Sequence, residues 1–190
     1  MAAPLPNVLA SRYASQQMVA IWSPQEKIVL ERRFWIAVMK TQQKLGVEIP
    51  DSAIEAYQEV MEQVHLDRID ARERVTKHDV KARIEEFNDL AGHEHIHKGM
   101  TSRDLTENVE QCQILSSLKL VRERLVASLS LVGQRAVEYS ELAIAGRSHN
   151  VPAQITTLGK RFANTAEEML FAFEALDALI ARLPMRGIKG

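Results

Sequence analysis

The stretch TSRDLTENVEQCQILSSLKLVRERLVASLSLV, Thr101 to Val132, decides the fold: 32 residues pass without a glycine or a proline. Its apolar residues Leu105, Val109, Cys112, Leu115, Leu118, Val121, Leu125, Leu129 and Val132 advance by three or four, the period of one helix face. At ~1.5 Å per residue this predicts a helix of roughly 45 Å or more. A second seam lies downstream. Ile155, Phe162, Met169, Leu176 and Leu183 recur every seven residues, with Ala166, Phe173 and Ile180 interleaved at the same interval. Such a repeat packs along another long helix, in a bundle or coiled coil. A plain two-helix hairpin is the simpler alternative. Two long helices cannot bury all of their apolar faces against each other, so further helices are expected from elsewhere in the protein or from other subunits.

Upstream, glycine is scarce before residue 92 and there is almost no strand pattern. Asn7 to Met18 reads as a polar opening segment. Ser23-Pro24-Gln25-Glu26 predicts a helix start, with Ser23 as cap, Pro24 in the first turn and Glu26 closing a capping box. Ile28, Leu30, Phe34, Trp35, Val38, Met39 and Leu45 follow, and Gly46 ends the helix. Pro50 with Ser52 and Glu55 predicts another start, and Val80, Ile84 and Phe87 mark a helix from Lys77 to about Leu90. Ala91 to Met100 holds two glycines and three histidines and reads as a loop. The expected class is all-α: an N-terminal helical domain over residues 1–100, then the first long helices of a bundle over residues 101–190.

Composition narrows the function. Charged residues make up 26% and hydrophobic residues 46%, the balance of a soluble globular protein. A net charge of −1 offers no general attraction to nucleic acid or to an anionic membrane. The single cysteine, Cys112, excludes an intramolecular disulfide and a Cys-based zinc site, and fits a reducing compartment. Met1 to Pro6 carries no secretory pattern, and the apolar run from Leu170 to Leu183 is broken by Glu174, Asp177 and Arg182. A cytoplasmic location is expected.

Four short blocks can carry chemistry. His93, His95 and His97 alternate, and would share one side for a metal if the loop were extended; otherwise they are hydrogen-bonding or exposed loop residues. His97 to Asp104 places Gly99, Thr101 and Ser102 before the long helix, where free N–H groups and the dipole favour an anion such as a carboxylate. Either hydroxyl can equally be a helix cap. Lys77-His78-Asp79 begins a helix with a carboxylate beside an imidazole that it can orient, or is simply an N-terminal Asp next to a surface His. Gly146-Arg147-Ser148-His149-Asn150-Val151-Pro152-Ala153 lies between the two long helices, as a catalytic loop or a plain turn.

Taken in order, the blocks at 97–104 and 146–160 and the terminal Arg186-Gly187-Ile188-Lys189-Gly190 resemble the fumarase/aspartase superfamily of elimination enzymes. Arg12-Tyr13, Lys77-His78-Asp79-Val80 and Thr156-Thr157-Leu158-Gly159-Lys160 look most like its adenylosuccinate lyase family. The resemblance implies elimination of fumarate from adenylosuccinate to leave AMP, and from the succinyl-carboxamide ribotide, with no metal or organic cofactor. It implies that Arg12 and Tyr13 contact the nucleotide, with Arg12 at its phosphate. Lys77, His78 and Asp79 would line the nucleotide site, and Thr101 and Ser102 would bind the succinyl part. His149 would be the general acid; the residues alone leave open whether His149 or His78 delivers the proton. The family's Gly-Arg-Thr-His-Gly-Gln-Pro-Ala reads here with Ser148, Asn150 and Val151, so a role for the Gln does not transfer. The serine-bearing loop taken to supply the base is expected beyond Gly190, which would leave these 190 residues inactive alone. Family members are homotetramers whose active sites draw on several subunits. The other expectations are a sister lyase or cycloisomerase, or a non-catalytic helical oligomerisation scaffold.

Overall fold

In a computed structural model, which describes residues 7–187, helices dominate. They are α1 (Val8–Arg12), α2 (Gln16–Ile21), α3 (Pro24–Lys44), α4 (Asp51–Glu59), α5 (Leu66–Thr76), α6 (Asp79–Ala91), α7 (Ser102–Glu138) and α8 (Leu158–Arg182). The expected helical class holds. Between α7 and α8 the chain forms two antiparallel strands, β1 (Ala143–Ser148) and β2 (Val151–Thr157). Among the described residues, contacts divide the chain into one unit of 7–114 with 184–187 and another of 115–183.

Local chemistry explains most helix ends. Ser23 Oγ accepts from the Glu26 N–H at 3.1 Å, with Pro24 at the first helical position, and Gly46 takes φ +94° just past α3. The polar opening segment forms two short helices capped by Asn7 and Ser15. One expectation needs correcting: α4 starts at Asp51 with no side-chain cap from Ser52.

The core of the first unit joins Trp35, Ile36 and Met39 of α3 to Ile54 and Tyr57 of α4, Val80 and Phe87 of α6, and Leu105 and Val109 of α7. Each large side chain so buried contributes ~1.5–3 kcal/mol. Trp35 stacks on Phe87 at 6.3 Å, and Tyr57 meets Phe87 edge-on at 4.8 Å. Charges are buried here as well. Arg32 pairs with Glu86, donates to the Val60 and Met61 carbonyls at 3.0 Å each, and lies 4.5 Å over the Phe87 ring. Burial pushes the Arg32 guanidinium down, and Glu86 opposes that shift.

In the second unit the downstream seam is recovered with one shift. Phe162, Ala166, Met169, Phe173, Leu176 and Ile180 are the half-buried positions along the body of α8, and Leu183, its C-cap, continues them. Arg122 of α7 pairs with Asp177 at 2.6 Å and lies 5.1 Å over Phe173, while Tyr139 stacks on Phe162 at 6.1 Å. The helices therefore run antiparallel. Ile155 is not part of this seam; it lies in β2 and is 83% exposed. Val121 is also exposed, and Arg122 takes its place against α8. Gly159 lets α8 start against the end of α7, where a Cβ would sit 2.4 Å from the Ala136 carbonyl oxygen. Val126, Leu131, Val137 and Phe171 stay exposed on the two helices.

Removing one member of a buried ion pair strands the other. Arg32→Met is expected to lower unfolding stability by ~3–5 kcal/mol, and Arg32→Met with Glu86→Leu by much less, read from denaturant curves. His97 adds a pH dependence. Burial pushes its imidazole down, with Asp104 opposing and His78 assisting, so the folded state binds its proton later than the unfolded chain. Its stabilisation is complete above an unfolded value of about 6.5 and is lost as pH falls through the lowered folded value. Melting temperature should fall from pH 7.5 to 5, with a smaller fall in His97→Gln.

Candidate functional site

The first unit brings two of the four blocks together. His78 caps α6, its Nδ1 accepting from the Lys81 N–H at 3.4 Å, and its Nε2 lies 3.3 Å from Ser102 Oγ at the start of α7. Lys77 precedes it with φ +53°, a left-handed residue that closes α5 and turns the chain into α6. Asp79 Oδ1 sits 3.5 Å from His78 Nδ1. Burial acts to raise the Asp79 carboxyl, but the Val80 N–H, Arg83 and His78 outweigh it and hold it below the usual range.

Thr101 is not a side-chain cap. The box is closed from inside the helix, where Asp104 Oδ2 accepts from the Thr101 N–H at 2.7 Å. Thr101 Oγ1 is buried and has no hydrogen-bond partner among the described residues. A buried hydroxyl without a partner costs ~1–3 kcal/mol. It stands at the N-terminus of a 37-residue helix, beside a serine and a histidine. A helix start with the Ser102 hydroxyl and an imidazole beside it suits a ligand with carboxylate oxygens.

The loop that carries Thr101 is fastened at several points. The Tyr57 hydroxyl lies 2.6 Å from both Asn88 Oδ1 and the His93 carbonyl, and accepts from the His95 N–H at 3.2 Å. Gln42 Nε2 donates to the Lys98 carbonyl at 2.9 Å. His97 has φ +62° and leaves the alternating pattern; its Nδ1 accepts from Trp35 Nε1 at 3.0 Å. That bond places the proton of the neutral ring on Nε2. No group of three His, Cys, Asp or Glu side chains is arranged to hold a metal among the described residues.

His149 belongs to the second unit. It and Asn150 are the two central residues of the β1–β2 turn, with φ +51° and +64°. Two left-handed central residues make the turn whose twist suits a hairpin. A non-glycine residue held there is uncommon and is the kind of strain that collects at functional sites. The Asn150 carbonyl accepts from Arg147 Nη1 at 3.0 Å, and the imidazole is exposed. Arg12 ends α1 and Tyr13 follows it, both exposed and without a side-chain hydrogen bond among the described residues. Sequence reading missed the Trp35–His97 pair and the charges behind Asp79. Only the aromatic in an apolar run and the neighbouring Glu31-Arg32 hinted at them.

A protein-family model for lyases matches residues 11–190. The chain is 30% identical over 187 residues to an adenylosuccinate lyase of Saccharomyces cerevisiae, covering 96% of this chain and 39% of that protein. It is 32% identical over 177 residues to one from Methanothermobacter thermautotrophicus, covering 90% of this chain and again 39% of the relative. It thus spans about two fifths of the length of these curated relatives. A fumarate lyase from Mesorhizobium sp. BNC1 shares its fold with a TM-score of 0.81 at 20% identity, over 93% of this chain and 43% of that one. A 3-carboxy-cis,cis-muconate lactonizing enzyme from Pseudomonas putida does so with a TM-score of 0.80 at 18% identity, over 93% and 42%. Among the described residues no helix is long and apolar enough to cross a membrane. With a lyase family model matched over nearly its whole length, the chain belongs to the lyases of the fumarase/aspartase superfamily.

Proposed function

We propose that the complete protein is an adenylosuccinate lyase, eliminating fumarate from adenylosuccinate to leave AMP and acting likewise on the succinyl-carboxamide ribotide. The observation that supports this most is the corner at the start of α7. There Thr101 Oγ1 is buried without a partner among the described residues, and Ser102 Oγ meets His78 Nε2 at 3.3 Å. A succinyl group brings two carboxylates, and a helix N-terminus with two hydroxyls suits one of them. The curated relatives named adenylosuccinate lyase add to this reading.

In this reading, Thr101 and Ser102 hold the succinyl part, Lys77, His78 and Asp79 line the nucleotide side, and Arg12 and Tyr13 contact the nucleotide. Removing a proton beside a carboxylate builds negative charge, which fixed donors stabilise without reorganising. Expelling the purine-side nitrogen requires a proton at that atom, which His149 supplies as general acid. The base, a serine by the resemblance, comes from outside these 190 residues, which alone would not turn over. The reaction needs no metal or organic cofactor, the protein is cytoplasmic, and nucleic acid and membrane are not partners. Residues 1–100 serve as an N-terminal domain and 101–190 as the start of a central bundle. The apolar side chains left exposed on α7 and α8 support assembly through these helices, as a homotetramer.

The test is release of fumarate by the complete protein, followed by ultraviolet absorbance, with adenylosuccinate against argininosuccinate. Turnover of adenylosuccinate alone is expected; failure with it sinks the assignment. His149→Ala should lower kcat by ~10²- to 10⁴-fold, and a loss of less than about tenfold removes His149 from the acid role.

A further inference from the structure

Asp79 is half exposed and stands between a guanidinium and an imidazole. Oδ2 accepts from Arg83 Nη2 at 3.0 Å, one turn along α6, while Oδ1 lies 3.5 Å from His78 Nδ1. Arg83 reaches further inward, its Nε 2.6 Å from Glu31 Oε2 on α3. The Glu31 side chain has no exposed surface and that of Arg83 is 10% exposed. A line of ionisable groups therefore runs from a fully buried carboxylate to the imidazole that meets Ser102.

An ordinary Asp–Arg pair one turn apart on a helix surface contributes little and leaves both side chains free to move. Here the guanidinium is not free. Its Nε lies 2.6 Å from the buried Glu31 Oε2, an ion pair that holds the guanidinium against α3 while Nη2–H donates to Asp79. The carboxylate that accepts this N–H is set in turn. Charge reinforces geometry. Arg83 alone would cancel Asp79 as felt by His78, whereas Glu31, Arg83 and Asp79 together keep one net negative charge behind the imidazole. Neutralising Glu31 requires only the Nε edge of Arg83, so the second contact, to Asp79, asks for its own explanation.

We infer that Glu31 and Arg83 are positioning residues for the candidate site, acting through Asp79 to fix the orientation in which His78 meets Ser102. The inference rests on the proposed reading of His78 and Ser102 as substrate-contacting residues. It extends the site from the surface corner of α6 and α7 to the middle of α3. Neither residue touches substrate; both act by removing freedom from one that does.

Steady-state kinetics of the complete protein with adenylosuccinate tests this. Arg83→Lys keeps a cation for Glu31 but loses the fork that spans two carboxylates, and Glu31→Gln keeps the shape and removes the charge. Each is expected to fold, by circular dichroism, and to lower kcat/KM roughly tenfold, mostly through KM. The same loss is expected of Asp79→Asn, and the Arg83→Lys/Asp79→Asn double variant should be no worse than Asp79→Asn alone, since one acts through the other. If Arg83→Lys does not fold, Glu31→Gln with and without Asp79→Asn makes the same comparison. Wild-type kcat/KM in either folded variant, or losses that multiply in the double variant, overturn the inference while His78→Ala remains impaired. Full activity of His78→Ala overturns the reading of the site itself, and with it this extension.

Discussion

Two neighbouring residues of α3, Glu31 and Arg32, are both fully buried and carry opposite charges, and α6 answers each with its opposite three residues apart. Charges taken out of water are tolerated only when paired in good geometry. The pairing Glu31–Arg83 and Arg32–Glu86 therefore fixes how α6 lies against α3, because a slip along either helix would strand four charges. Burial raises the Glu31 carboxyl, and Arg83 is the main group holding it down. Hydrophobic packing supplies the bulk of the stability, through Trp35, Phe87 and their neighbours, but apolar contacts tolerate small shifts. The ion pairs supply the register.

Register matters because α6 begins at His78 and α7 begins at Ser102, and their side chains meet only if both helix starts are held. The ion pairs hold the first. The second is held by the loop from Gly92 to Thr101, fastened through Tyr57, Trp35 and Gln42, and by Asp104 reaching back to the Thr101 N–H. Gln113 and Asn108 tie α7 to more distant parts of the chain, donating to the Ile21 carbonyl at 2.8 Å and accepting from the Arg186 N–H at 2.9 Å. Structure around the corner is thus dense in specific polar contacts, as a preorganised binding site requires.

The sequence made the long helices legible because period and length are local properties. The Ser23 capping box and the α8 seam from Phe162 to Leu183 were readable for that reason. The hairpin was not. Its first strand, Ala143–Ser148, has only Ile144 as a large apolar residue, its strands alternate weakly, and its turn carries His149-Asn150 rather than the usual Asn-Gly. The buried charges were hidden for another reason. Arg32 and Glu86 are 54 residues apart, and a charged residue on a helix reads as a solvated face until its partner is known. At the candidate site, order along the chain made His78, Thr101 and Ser102 visible, whereas Glu31, Arg83, Trp35 and His97 emerge only from the packing.

The central claim is that the hydroxyls at the start of α7 receive the carboxylate end of the substrate. A crystal structure of the complete protein with AMP and fumarate tests it most directly. The account predicts a fumarate carboxylate within hydrogen-bond reach of Thr101 Oγ1 and Ser102 Oγ. Fumarate bound elsewhere, with both hydroxyls unengaged, would contradict it.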